Sequence, residues 1–138
     1  MGLFNTAEAY RLSAMALDQA QVKGGHREKP IQFLYSHAIE LYLKALLCTE
    51  NSIEVVEKFR HNIGRLVKNA ETLGLFVTAA DREVFTVMED TDALIEMRYI
   101  RTGAKTPLKL KALSHTCKNV RDSVGGLLRK ANVSVRLD

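Results

Sequence analysis

The sequence has no tryptophan, only two prolines and only two cysteines. So few prolines, with abundant Leu, Ala, Glu, Lys and Arg, favour helices. Cys48 and Cys117 have no metal-type spacing and no secretory context, so we expect reduced thiols in a cytoplasmic protein. We expect neither a signal peptide nor a membrane span, since no apolar run reaches ~18 residues. The composition predicts one soluble globular domain over residues 1–138.

The most apolar stretch of the chain is 31–48, IQFLYSHAIELYLKALLC. Apolar residues at alternating steps of three and four form one seam: Ile31, Leu34, Ala38, Leu41, Ala45 and Cys48. Further apolar lines leave a narrow polar strip of Gln32, Ser36, His37, Glu40 and Lys44. This pattern predicts the central helix of a bundle, with Pro30 at its first helical position.

A helix of small residues precedes the central one. Asn5 or Thr6 is the expected cap, with Glu8 in the acidic first turn, and Gly24–Gly25 ends the helix. Its stripe of Ala9, Leu12, Ala16 and Ala20 is expected to allow close approach to a neighbour.

Two shorter helices are predicted after the central one. Asn51 with Glu54 resembles a capping box for a helix over 52–59. A second helix is expected over 61–73 and is stopped by Gly74.

Capping signals also mark the C-terminal half. Thr78 with Asp81 three residues on starts one helix, and Thr106–Pro107 starts the last, which runs to about Ala131. Residues 132–138 are expected to form a loosely ordered tail. We therefore predict an all-α, up-and-down helical bundle of four long helices plus a short helix.

Charge is distributed unevenly along the chain. Residues 1–97 hold ten Lys/Arg and fourteen Asp/Glu, a net charge of −4, whereas residues 98–138 hold ten and two, a net charge of +8. A basic C-terminal third suits an anionic partner, such as RNA or a nucleotide phosphate. The alternative, which base rates favour, is a solvated Lys-rich helix face.

The polar strip of the central helix has two interpretations. In the structural one, Glu40 pairs with Lys44 and with Arg98 to fix how two helices pack. In the functional one, Lys44, Arg98 and Arg101 hold a phosphate while His37 or His61 moves a proton. We favour the structural interpretation, since a lone carboxylate in a bundle usually pairs with a cation.

Three motifs stand in order along the chain: SHAIELYLKALL at 36–47, HNIGRLV at 61–67 and RYIRTG at 98–103. Together they resemble the HEPN family of small helical domains from prokaryotic toxin–antitoxin, defence and nucleotidyltransferase-associated systems. Many members carry a Glu and a Lys spaced as Glu40 and Lys44, and an Arg-Tyr pair placed as Arg98 and Tyr99. The resemblance implies a helical bundle that commonly forms a homodimer, and a nucleotidyltransferase as one possible partner protein.

The active branch of that family is a metal-independent RNase in which four to six residues separate an Arg from the His that follows it. None of His26, His37, His61 and His115 has such an Arg; the nearest approach is Lys109 before His115. Because Lys lacks the planar fork of Arg, we lean against enzymatic activity. We expect a binding and assembly module for RNA, nucleotide or a partner protein. The alternative is a divergent RNase that uses His61 or His37 with Arg98 and Arg101.

Further motifs for cofactors or metals are missing from the sequence. It contains no phosphate-cradling Gly loop and no nucleophile elbow. His37 and Glu40 have helical ligand spacing but lack the second such pair of bundle metal sites. We expect no cofactor and no metal.

Overall fold

The computed structural model describes residues 2–20, 28–91 and 109–137. These contain helices and no strand, which confirms the all-α prediction. The helices are α1 (Gly2–Ala20), α2 (Glu28–Leu47), α3 (Ile53–Glu57), α4 (Ile63–Thr72), α5 (Ala79–Thr91) and α6 (Leu110–Lys130). Six helices in the described ranges exceed the predicted four long and one short. The break between α4 and α5 falls at Gly74, as predicted, and Gly74 has a φ of 106°.

Helix α2 lies at the centre of the molecule, as predicted. It packs against α1, α3, α4 and α6, and its residues Ala38, Ile39, Tyr42, Leu43 and Ala45 have no exposed surface. The helix includes Glu28, so Pro30 is its third residue rather than its first. Proline is tolerated there because first-turn N–H groups have no intrahelical acceptor.

Helix α1 differs from its prediction in extent and in orientation. It includes Gly2, and Thr6 Oγ1 donates to the Gly2 carbonyl at 2.8 Å, so Thr6 is not the cap and Glu8 lies beyond the first turn. The predicted stripe is exposed at all four of its positions, Ala9, Leu12, Ala16 and Ala20. Phe4, Ala7 and Ala14 are buried instead. An aromatic ring buries more apolar area than a run of alanines, so the face of Phe4 turns to the core.

Two helices after α2 have side-chain caps at their N-termini. Ser52, not the expected Asn51, caps α3: its Oγ accepts a first-turn N–H at 3.3 Å. Asn62 caps α4, with its Oδ1 3.1 Å from a first-turn nitrogen. His61 is therefore free to bond elsewhere.

The predicted cap of α5 is present. Asp81 N donates to Thr78 Oγ1 at 3.0 Å, and Thr78 N donates to Asp81 Oδ2 at 3.3 Å. Asp81 is 1% exposed and also accepts from Thr116 Oγ1 at 2.7 Å and from Asn119 Nδ2 at 3.2 Å. One carboxylate thus caps α5 and joins it to α6.

The C-terminal segment after α6 folds back on that helix. Arg129 Nη2 donates to the Val135 carbonyl at 3.2 Å, and Val135 is buried. At Gly125 a Cβ atom would lie only 2.4 Å from Leu137 Cδ2. A side chain at position 125 would therefore require the Leu137 side chain to move.

Candidate functional site

A polar cluster lies where α2 meets the turn before α4. Glu40 Oε2 accepts from Lys44 Nζ at 3.1 Å, and Glu40 Oε1 lies 2.7 Å from His61 Nδ1. A carboxylate can only accept, so His61 Nδ1 carries the proton of that hydrogen bond. Glu40 is 6% exposed, and each of its oxygens has a partner. The predicted Glu40–Lys44 pair is present, and its third member, His61, comes from the loop.

His37 lies on the same polar strip but has an apolar surrounding. Its ring meets the Tyr10 ring edge-on at 4.6 Å and stacks on Phe33 at 5.7 Å between centroids. Burial lowers the pKa of His37 below its usual value, and the nearby Glu40 does not reverse that effect. His37 is therefore a neutral imidazole at neutral pH.

The Glu40 cluster can act in two ways. As a structural tie, it joins α2 to the α3–α4 connection through the hydrogen bond from His61 to the buried Glu40 carboxylate, which Lys44 of the same helix also contacts. As a chemical site, it orients the His61 ring, whose side chain is 52% exposed, and leaves Nε2 able to take a proton. Arg98 and Arg101, which were proposed to hold a phosphate, lie outside the described residues, as does Tyr99.

A second polar cluster joins three helices and was not predicted. Glu8 of α1 accepts from Arg121 Nε of α6 at 2.7 Å and from the Tyr42 hydroxyl of α2. Arg11 Nε is farther from the same Glu8 oxygen, at 3.4 Å. Burial acts to raise the pKa of Glu8, but hydrogen bonds from Arg121 and Tyr42 outweigh it and the pKa is lowered. Burial and the bond to Glu8 raise the pKa of Tyr42.

A groove between α1 and α6 adjoins this cluster. It encloses a pocket of about 550 Å³, within the usual size range of ligand sites. The described residues that line the pocket include cationic or titratable side chains, Arg11, Lys109, Lys111, Lys118 and His115, together with Met15 and Tyr35, and none of them is a carboxylate. We name this feature the α1–α6 groove.

Tyr35 of α2 contributes to the lining of the α1–α6 groove. It is 2% exposed, and its hydroxyl makes no hydrogen bond to any residue that the structure describes. The sequence signal for the groove was the net charge of +8 in residues 98–138. Nothing in the sequence indicated that Arg11 and Tyr35 would join those lysines.

The thiols are poorly suited to nucleophilic chemistry. Cys117 has no exposed surface, and burial raises its pKa to about 12. Burial also raises the pKa of Cys48, which is only partly buried. Within the described ranges, no three His, Cys, Asp or Glu residues are grouped so that they could hold a metal ion. None of the described helices is both long and apolar enough to cross a membrane.

Comparison of the chain with family models, with curated proteins and with solved structures finds no match. The HEPN resemblance therefore rests on the sequence motifs.

Proposed function

We propose that this chain is a HEPN-like binding module that engages the phosphates of RNA through the basic face of α6. The observation that carries the proposal is the position of Lys109, Lys111 and Lys118 and their lack of acidic partners. All three line the α1–α6 groove, and none pairs with an acid among the described residues. Lys44 on α2, by contrast, pairs with Glu40. Unmatched lysines on a concave surface attract polyanions.

RNA binding through these lysines predicts a strong dependence on salt. Each phosphate neutralised adds roughly 0.7 to the slope of log K against log salt for a single strand. Binding of a labelled oligoribonucleotide is measured by fluorescence anisotropy at several salt concentrations. The triple variant Lys109→Gln, Lys111→Gln, Lys118→Gln is expected to bind weakly, with a slope lower by about 2.

A charge-matched control uses the exposed lysines Lys29, Lys58 and Lys68, which lie outside α6. Their triple Gln variant is expected to keep most of the affinity and the slope. Equal losses in the two triple variants would reject the α6 face as the binding surface and leave only non-specific attraction.

The second candidate is a divergent metal-independent RNase, and the Glu40–His61 hydrogen bond favours it. A buried carboxylate on Nδ1 fixes the ring so that Nε2 can serve as a general base. RNA cleavage in the presence of a chelator, abolished in His61→Ala and in Arg98→Ala, would support this activity. Intact RNA after long incubation with the native protein would reject it.

The remaining parts of the proposal concern context. By its resemblance, the module acts in the cytoplasm of a prokaryotic cell, in a toxin–antitoxin or defence setting. A nucleotidyltransferase is the partner protein that this analogy suggests, and co-purification of the two proteins tests it.

A further inference from the structure

We infer that the α1–α6 groove is a subsite for a single phosphomonoester group attached to an apolar or aromatic body. The inference rests on the proposed binding of phosphate-bearing ligands and specifies which phosphate is recognised. The juxtaposition that supports it is three exposed lysines that pair with no acid among the described residues, one arginine and one tyrosine hydroxyl around one pocket.

The charge in the groove is concentrated. Lys109, Lys111 and Lys118 come from the first nine residues of α6 and its cap, which span only about 14 Å of helix. Arg11 joins them from α1, and no carboxylate lines the pocket among residues 2–20, 28–91 and 109–137. A diester carries one negative charge, whereas a phosphomonoester carries about −1.5 to −2 at neutral pH and has three terminal oxygens. The monoester is therefore the better match in charge.

Arg11 has two long contacts that a ligand could replace, from Nε to Glu8 and from Nη1 to Met15 Sδ, each 3.4 Å. Its Nε is 3.4 Å from Glu8, whereas Arg121 is 2.7 Å from the same oxygen and Tyr42 also donates to it. Glu8 thus keeps two closer donors if Arg11 leaves. A guanidinium released in this way can bind two phosphate oxygens at once.

Tyr35 supplies a hydrogen-bond donor for such a ligand. It lines the groove, and its hydroxyl makes no hydrogen bond to a residue that the structure describes. A phosphate oxygen in the pocket would accept from it. Met15, which is only partly buried, offers an apolar surface for the rest of the ligand.

The test compares ligands that differ only in the terminal phosphate. Adenosine is compared with AMP, and an oligoribonucleotide with a 5′-hydroxyl is compared with the same strand carrying a 5′-phosphate, all by calorimetric titration of the full chain. The phosphorylated member of each pair is expected to bind at least about ten-fold more tightly. If AMP matches the phosphorylated strand, the source is a free nucleotide; if the strand is far tighter, it is an RNA end.

Variants show whether the preference comes from the groove. Lys118→Gln and Arg11→Gln are expected to reduce the preference for the terminal phosphate several-fold. Tyr35→Phe keeps the buried ring and is expected to weaken AMP binding without lowering the melting temperature. Lys130→Gln, an exposed lysine on α6 outside the groove, is the matched control and is expected to leave the preference unchanged.

Two results separate this inference from the proposed function. Equal binding of the phosphorylated and hydroxyl strands would overturn the subsite and leave RNA binding through α6 intact. Binding of AMP, with no binding of either strand, would support the subsite and reject RNA as the ligand.

Discussion

At the scale of single residues, Glu40 is the side chain with the largest expected structural effect in the predicted site. Its side chain is 8% exposed, and Lys44 beside it is 13% exposed, so Glu40→Ala leaves a mostly buried ammonium without its acceptor. We expect a loss of about 1–3 kcal/mol in the free energy of unfolding, which corresponds to a melting temperature several degrees lower.

Thermal unfolding by circular dichroism measures this loss. Glu50→Ala removes an exposed glutamate just beyond α2 and is expected to change the melting temperature little. An unchanged melting temperature in Glu40→Ala would show that the cluster is not a structural tie, and would strengthen its interpretation as a chemical site.

The lowered pKa of Asp81 is expected to make the free energy of unfolding depend on pH. Burial acts to raise its pKa, but hydrogen bonds from Thr116, Thr78 and Asn119 outweigh it, so the folded-state pKa is lowered. The unfolded chain, with a carboxyl pKa of about 3.9, then binds more protons than the folded one in acid. The stability that Asp81 contributes is full above about pH 5 and is lost as the pH falls through 3.9 toward the lowered folded value.

Urea unfolding from pH 6 down to pH 3 tests this dependence. Asp81→Asn, which cannot ionise, is expected to be less stable at pH 6 and to lose less stability on acidification than the native chain. Parallel pH profiles for the two proteins would contradict the assignment to Asp81.

At the scale of helices and their connections, replacing two glycines by alanine is expected to change stability in opposite directions. Gly74 has a φ of 106°, and a Cβ there would be 3.0 Å from Leu127 Cδ2, so Gly74→Ala should cost about 1–2 kcal/mol. Gly126 lies inside α6 with nothing within 4 Å of an added Cβ, so Gly126→Ala should stabilise by up to about 1 kcal/mol. Chemical denaturation of both variants measures the difference; a shift of the same sign in both would show the backbone account to be wrong.

The helices also show what can be predicted from sequence. The centre of the bundle could be identified because α2 is apolar around most of its circumference, which only a central position accommodates. The Thr78–Asp81 cap could be predicted because it is local. The face of α1 that is buried could not be predicted, since Ala9 and Leu12 have helical spacing as good as that of Ala7 and Ala14.

The Glu8 cluster and the α1–α6 groove were not predicted because they depend on contacts between distant segments of the chain. Glu8 and Arg121 are 113 residues apart, and no periodicity shows that α1 and α6 lie side by side. The charge of the last third indicated an anionic ligand. The groove that gives this charge a shape depends on both helices resting on α2.

At the scale of the whole molecule, the exposed face of α1 is the surface that suits the predicted homodimer. Leu12 is 53% exposed and Leu17 37% exposed, with Ala9 and Ala16 beside them. Light scattering at micromolar concentration is expected to give the mass of a dimer, and Leu12→Asp is expected to give that of a monomer.

Phe76, 72% exposed in the α4–α5 connection, provides the control for that experiment. Phe76→Ser removes a comparable exposed apolar side chain and is expected to leave the dimer intact. A monomeric mass for the native chain would contradict dimerisation, and a monomeric Phe76→Ser would move the interface away from α1.

The burial of Cys117 makes it possible to measure how often α6 separates from the rest of the molecule. Its thiol has no exposed surface and lies on α6 one turn before Arg121, in the helix that Glu8 links to α1 and α2. A thiol reagent can reach it only after α6 separates from its neighbours, so the rate of labelling measures the frequency of that opening. A ligand bound in the α1–α6 groove should therefore slow the modification of Cys117.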